Sequence, residues 1–191
     1  MCIIIMREAG VELDADKFKT LVMNNPNGWG ISVPDGEGNL LTFRQVEDGD
    51  TDAEALYEYI HDEFKDDKIM LHLRYTTAGE TILRNAHPFP ILTKREDGVD
   101  LRMAHNGTLP RYKDSKTTES DTRLFVRSLV RPLFKRLIRG AELSDVLKDP
   151  FTGFLLDENL TGMSVLSFID GNGNVLNVNA EGNGGGTKEG S

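Results

Sequence analysis

The alternation of apolar and polar positions divides the chain into short strands and amphipathic helices. Residues 2–6 are wholly apolar, with three consecutive isoleucines, and predict a buried strand. Asp14 is placed to cap a helix reaching about Met23, with Phe18, Leu21 and Val22 on one face. The dense turn cluster Asn24-Asn25-Pro26-Asn27-Gly28 follows. Residues 29–33 and 40–46 predict a hairpin. The clearest helical period runs through Ala53, Leu56, Tyr57, Ile60 and Phe64, with Asp50 or Thr51 as its cap. Residues 68–74 predict a strand, and 89–93 pairs with 99–105 around Glu96-Asp97-Gly98. A helix is expected over 121–130, and Pro132 should start a new helical piece to about residue 138. A short helix at 143–147 and a last hairpin of 163–169 with 174–178 complete the pattern.

Strands linked mostly by hairpins, with two groups of helices, imply a largely antiparallel α+β layered domain. Two long polar connections, 75–88 and 106–120, interrupt it. Long loops of this kind in a compact domain are usually functional. Residues 1–179 read as one domain, and the Gly-rich residues 180–191 as a flexible tail.

Composition narrows the function classes. The chain has 191 residues, 38% hydrophobic and 28% charged, as in an ordinary globular domain. Its net charge of −9 argues against binding a nucleic-acid backbone. The basic cluster from Arg127 to Arg139 reads as the outer face of a helix. A single cysteine excludes an internal disulfide framework. No apolar run approaches the ~20 residues of a membrane span. The start is charged too soon, at Arg7 and Glu8, for a signal peptide, so a cytoplasmic protein is expected.

The single cysteine is Cys2. Removal of Met1 would put a thiol and a free α-amine on one residue. The amine titrates near ~8 and can take the thiol proton. Alone, a cysteine near a terminus is more often a small buried hydrophobe. Three further stretches bear on it. In His72-Leu73-Arg74-Tyr75-Thr76-Thr77, a strand delivers an arginine and two hydroxyls to a loop, suited to gripping a carboxylate. Asn85-Ala86-His87-Pro88-Phe89 reads as a rigid turn, with His87 a structural histidine or an acid–base group. His105-Asn106-Gly107 ends a strand in two candidate donors for an oxyanion, the Asn106 amide and the Gly107 N–H. Asp121 could receive an ammonium, or it or Glu119 could cap the helix that begins there. A nucleophilic thiol, a carboxylate clamp, an ammonium receptor and an oxyanion hole together suit an α-amino acid with a side-chain amide.

These motifs, in this order, resemble a class II glutamine amidotransferase domain, an N-terminal-nucleophile hydrolase, of the standalone type. Such domains head glucosamine-6-phosphate synthase and asparagine synthetase. The resemblance spans Cys2 to about Asp121, with 163–178 completing the sheets. It implies a four-layer αββα sandwich of two mainly antiparallel sheets. It implies Cys2 as nucleophile, Asn106 and Gly107 as the oxyanion hole, Arg74 and Thr77 on the glutamine carboxylate, and Asp121 on its ammonium. No cofactor or metal is expected. The product ammonia would pass to a separate synthase subunit, since no nucleotide fingerprint follows Asp121. Two departures stand out: Ile3 replaces the usual Gly, and Ala78 stands where many members have His. The alternatives are an N-terminal-nucleophile amidohydrolase acting on another amide, and a catalytically silent binding or regulatory module.

Overall fold

The computed structural model describes residues 2–46, 51–77, 79–137, 145, 153, 158–160 and 164–179. Its first half builds one antiparallel sheet. Strands β1 (Ile3–Arg7), β2 (Trp29–Pro34), β3 (Leu40–Gln45) and β4 (Ile69–Leu73) lie in the order β1-β4-β2-β3. Helices α1 (Ala15–Met23) and α2 (Ala53–Phe64) cover its outer face. The period-2 alternation of β4 decides which side chain goes where. Ile69, Leu71 and Leu73 pack with Phe18, Val22, Leu56 and Ile60 under the helices. Met70 and His72 face the other way, and the whole strand is buried.

The second sheet has the order β5-β6-β7-β8, built from β5 (Phe89–Leu92), β6 (Leu101–Asn106), β7 (Val165–Asp170) and β8 (Val175–Asn179). Every pairing in both sheets is antiparallel. One helical turn, α3 (Lys94–Asp97), stands between β5 and β6, where a plain hairpin was expected. Gly98 closes it in the left-handed region at φ +78°, which a glycine adopts at no steric cost. Phe125, Val130 and Phe134 from the later helices pack on Leu101, Met103, Leu166 and Phe168. Between the sheets lies a thin apolar layer of Leu40, Met70, Ala104 and Ile169. The layers therefore run helix, sheet, sheet, helix, as the αββα reading requires.

Two helix boundaries differ from expectation. Asp52, not Asp50 or Thr51, caps α2: its carboxylate accepts the Glu54 and Ala55 N–H groups at 3.0 Å each. The later helix does not restart at Pro132. Helix α4 (Asp121–Phe125) continues through a π-helical stretch (Val126–Val130) into α5 (Arg131–Leu137). Proline has no N–H and its ring collides with the carbonyl four residues back. The helix widens by one residue instead of breaking, and the Arg131 N–H reaches back to the Val126 carbonyl. The short helix expected at 143–147 and the tail 180–191 lie outside the described residues.

Candidate active site

The β1–β4 register pairs Ile3 with Leu73, which brings Cys2 alongside the end of β4 and Arg74. The Cys2 Sγ donates to the Tyr75 carbonyl at 3.2 Å, and the Tyr75 N–H lies 3.4 Å from the sulfur. Ile3 belongs to the packing beneath α1 and α2, so its bulk is directed into that core. Ala78 lies outside the described residues.

Arg74 is almost wholly buried, at 5% exposure. Its Nη2 donates to the Glu80 carbonyl at 3.0 Å, while Nη1 is buried without a partner. Its backbone is held by the turn cluster: the Arg74 N–H donates to the Gly28 carbonyl, and the Asn27 N–H to the Arg74 carbonyl. The Asn27 side chain also accepts the Thr76 N–H at 2.9 Å. Thr77 is exposed.

Asn106 ends β6, paired with Val165. Its Oδ1 is buried without a partner. Gly107 follows at φ +134°, and a Cβ there would stand 2.8 Å from the Ser164 Cα. No other residue fits that backbone and that space. Asp121 lies across the loop, 7% exposed. It does not cap its helix, and neither does Glu119: Ser120 Oγ accepts the Arg123 N–H at 3.2 Å. The Asp121 carboxylate instead accepts the Leu109 N–H at 2.9 Å and the Thr122 N–H at 2.7 Å. It thereby ties the loop after Gly107 to the helix.

Cys2, Arg74, Thr77, Gly107 and Asp121 line one cleft, together with Tyr75, Thr76, Asn85, His87, His105, Ser120 and Thr122. Asn106 adjoins it through Gly107 and is not one of its walls. The cleft has about 30 Å³ of free room. That is the room of one or two waters, in a cleft that is open to solvent on one side. Asn85 holds its loops together. Its Nδ2 donates to the Glu80 and Thr118 carbonyls at 3.0 and 2.7 Å, and its Oδ1 accepts the Ser120 N–H at 3.0 Å. The sequence reading passed over Asn85 in favour of its neighbour His87. It also passed over Asn27, whose only signal was its place in a turn cluster.

Burial dominates the electrostatics. It pushes the Cys2 thiol up, against the Tyr75 backbone hydrogen bond and the Arg74 charge, which pull it down. Burial lowers the Arg74 guanidinium, partly offset by the Cys2 thiolate. His72 and His87 stack with ring centroids 4.1 Å apart, and none of their ring nitrogens has a hydrogen-bond partner. Burial lowers His72 to about 3, helped by Arg74 and His105. It lowers His87 well below the ordinary range, helped by His72. His105 falls to about 4 by burial, with Asp121 pulling the other way, and its Nδ1 lies 2.9 Å from Thr122 Oγ1. All three imidazoles are neutral near pH 7. His87 is thus buried, without the hydrogen bonds expected of a structural histidine, and its ring forms part of the cleft wall. Among the described residues no cluster of His, Cys, Asp or Glu could hold a metal.

The sequence matches the family model described as glutamine amidotransferases class-II over residues 13–176. The chain belongs to the class II glutamine amidotransferases. The match begins after Cys2 and does not include it. Among relatives of this family, an uncharacterized protein of Methanocaldococcus jannaschii is 32% identical over 174 residues, covering 86% of this chain and 46% of that protein. YafJ of Escherichia coli, whose glutamine amidotransferase name is provisional, is 30% identical over 126 residues, 61% of this chain and 47% of its own length. The chain thus spans about half the length of these curated relatives. The crystal structure of a predicted glutamine amidotransferase from Pseudomonas aeruginosa superposes with a TM-score of 0.51 at 21% identity, covering 76% of this chain and 57% of that one. The allosteric regulatory enzyme of purine biosynthesis superposes at 0.58 and 18% identity, over 93% of this chain and 37% of that one. These likenesses show a shared fold, two antiparallel sheets between helical layers.

Proposed function

We propose that this chain hydrolyses the side-chain amide of glutamine through Cys2. The observation that carries the reading is the convergence of Cys2, Arg74 and Asp121 on one cleft, with Arg74 Nη1 buried and unpaired. A buried, unpaired guanidinium N–H is costly, and a substrate carboxylate would satisfy it. Asp121 has spare acceptor capacity beyond its two backbone bonds and would take the substrate ammonium. Thr77 would support the carboxylate.

The chemistry then follows from Cys2. Removal of Met1 frees the α-amine, which takes the thiol proton as sulfur attacks the amide carbon. The raised thiol makes that base necessary, because little thiolate exists beforehand. The tetrahedral oxyanion accepts from the Asn106 amide and the Gly107 N–H. The protonated α-amine returns its proton to the departing nitrogen, and the C–N bond breaks to give ammonia and a γ-glutamyl thioester. Water, deprotonated by the same amine, cleaves the thioester to glutamate and regenerates the thiol.

A second reading is favoured by the closeness of the cleft. A separate ammonia-accepting synthase that widened this cleft of about 30 Å³ on docking would raise its activity. An amidohydrolase for another amide is disfavoured by Arg74 and Asp121, which suit a free amino acid.

The test is intact mass before and after diazo-oxo-norleucine, a glutamine-mimicking alkylator, with glutamate release assayed in parallel. The expected result is protein lacking Met1, one adduct blocked by glutamine, and glutamate release. Cys2→Ala should abolish both adduct and turnover while retaining glutamine binding. Asn106→Ala should slow turnover by about 10²–10³-fold. Processed protein that neither reacts nor releases glutamate, alone or with a partner, would refute the assignment.

A further inference from the structure

A second cavity, far larger than the Cys2 cleft, lies between β3, the start of α2 and Leu83. It holds about 700 Å³, inside the ~300–1,000 Å³ range of small-molecule sites. Three rings, Trp29, Phe43 and Tyr59, line it. The Trp29 and Tyr59 rings lie 5.8 Å apart at a tilt of 50°. Phe43 and Leu83, both on its wall, leave 40% and 50% of their surface in water.

Its charge is as distinctive. Arg44 is the one cation among the described residues that line it, and it is half-buried. Its only described hydrogen bond runs from Nη1 to the Ala86 carbonyl at 3.2 Å. No carboxylate among the described residues pairs with it. The two arginines that act on it, Arg102 and Arg123, each have an acid of their own, Asp100 and Glu119. The acid lining the groove, Asp52, is committed to the α2 N-terminus. Half-buried and without an acid among the described residues, Arg44 is a candidate receptor for an external anion.

We propose that the Trp29–Phe43–Tyr59 groove binds a small ring-bearing anion, an aromatic or heterocyclic ring carrying a phosphate or carboxylate, with Arg44 as the anion receptor. The rings supply stacking or edge contacts to the ligand ring. The guanidinium supplies a two-point bond to its anionic group. The groove is linked to the Cys2 cleft through Arg44. A Cβ on Gly30 would stand 2.9 Å from the Arg44 Cγ and 3.0 Å from the His87 carbonyl carbon, so the two pack together on that glycine. A ligand that pulled on Arg44 would be felt at Ala86, between the cleft residues Asn85 and His87. The binding site itself does not depend on what Cys2 does.

Trp29 is the only tryptophan, so its emission reports the groove without a label. The full chain is titrated with phenyl phosphate and with benzoate, and binding is checked by calorimetry. Phenol and inorganic phosphate serve as the chargeless and ringless controls. The expected result is saturable binding of a ring-bearing anion, with both controls weaker by at least about tenfold. Arg44→Gln should weaken the anion by about tenfold or more while leaving phenol unchanged. Absence of saturable binding by both anions overturns the proposal. So does phenol or inorganic phosphate binding as tightly as the ring-bearing anions, a comparison on the natural chain that survives even if Arg44→Gln fails to fold.

Discussion

His72, His87 and His105 are three of the four histidines, and each is buried with at least one ring nitrogen unpaired. Unfolded, they titrate near ~6.5. Folded, His72 sits at about 3 and His105 at about 4, with His87 also lowered. Protons therefore bind the unfolded chain first as pH falls below 6.5. The stability these residues share in is complete above that pH and is lost progressively toward pH 4. Each contributes a slope of up to ~1.4 kcal/mol per pH unit over that window. Urea midpoints measured from about pH 7.5 to about pH 5 should fall steeply, and His72→Leu should make the fall shallower. A flat profile would contradict buried neutral rings. The raised Cys2 thiol predicts a second pH effect: iodoacetamide should react slowly at neutral pH and faster as the solution is made alkaline. At this scale the motifs located most of the cleft, because Cys2, Arg74 and Gly107 stand at strand ends and strand ends are visible where apolar runs stop. The role of Ser120 as cap was not legible. Glu119, Ser120 and Asp121 can all accept an N–H, and only backbone geometry chooses between them.

The elements are joined at few points, and Asn85 is one of them. Its amide binds two carbonyls and one N–H from separate segments of the two long loops. Asn85→Ala would leave the buried Ser120 N–H unpaired, at a cost of about 1–3 kcal/mol. The expected outcome is a lowered melting temperature and faster proteolysis within 75–88 and 106–120, measured against the unaltered chain. Helix and strand existence followed from periodicity, since 3.6 and 2 are distinct signals. The continuity through Pro132 did not. A proline usually ends a helix, and packing of Phe125, Val130 and Phe134 on one core outweighs that preference here. Ser128 assists the distortion by donating its hydroxyl to the Leu124 carbonyl at 2.6 Å.

The whole molecule depends on how closely the two sheets approach. Ala104 and Met70 are fully buried in the layer between them. Ala104→Leu should overfill that layer and cost about 1–3 kcal/mol, read as a lower denaturant midpoint. Antiparallel sheets and their helical cover were legible from hairpin spacing. The strand order was not, because β1 pairs with β4 across a long stretch of chain and no local signal records that. The Cys2 cleft depends on this non-local pairing, which sets the thiol beside Arg74. Its small volume has a kinetic consequence for the proposed reaction. Where glutamine enters only a wider form of this narrow cleft, the observed dissociation constant is the intrinsic one divided by the fraction of molecules in that form. Where opening precedes capture, the rate of labelling by diazo-oxo-norleucine would climb with reagent concentration and then level off at the opening rate. A docked synthase that favours the open form would raise that plateau without touching the thiol.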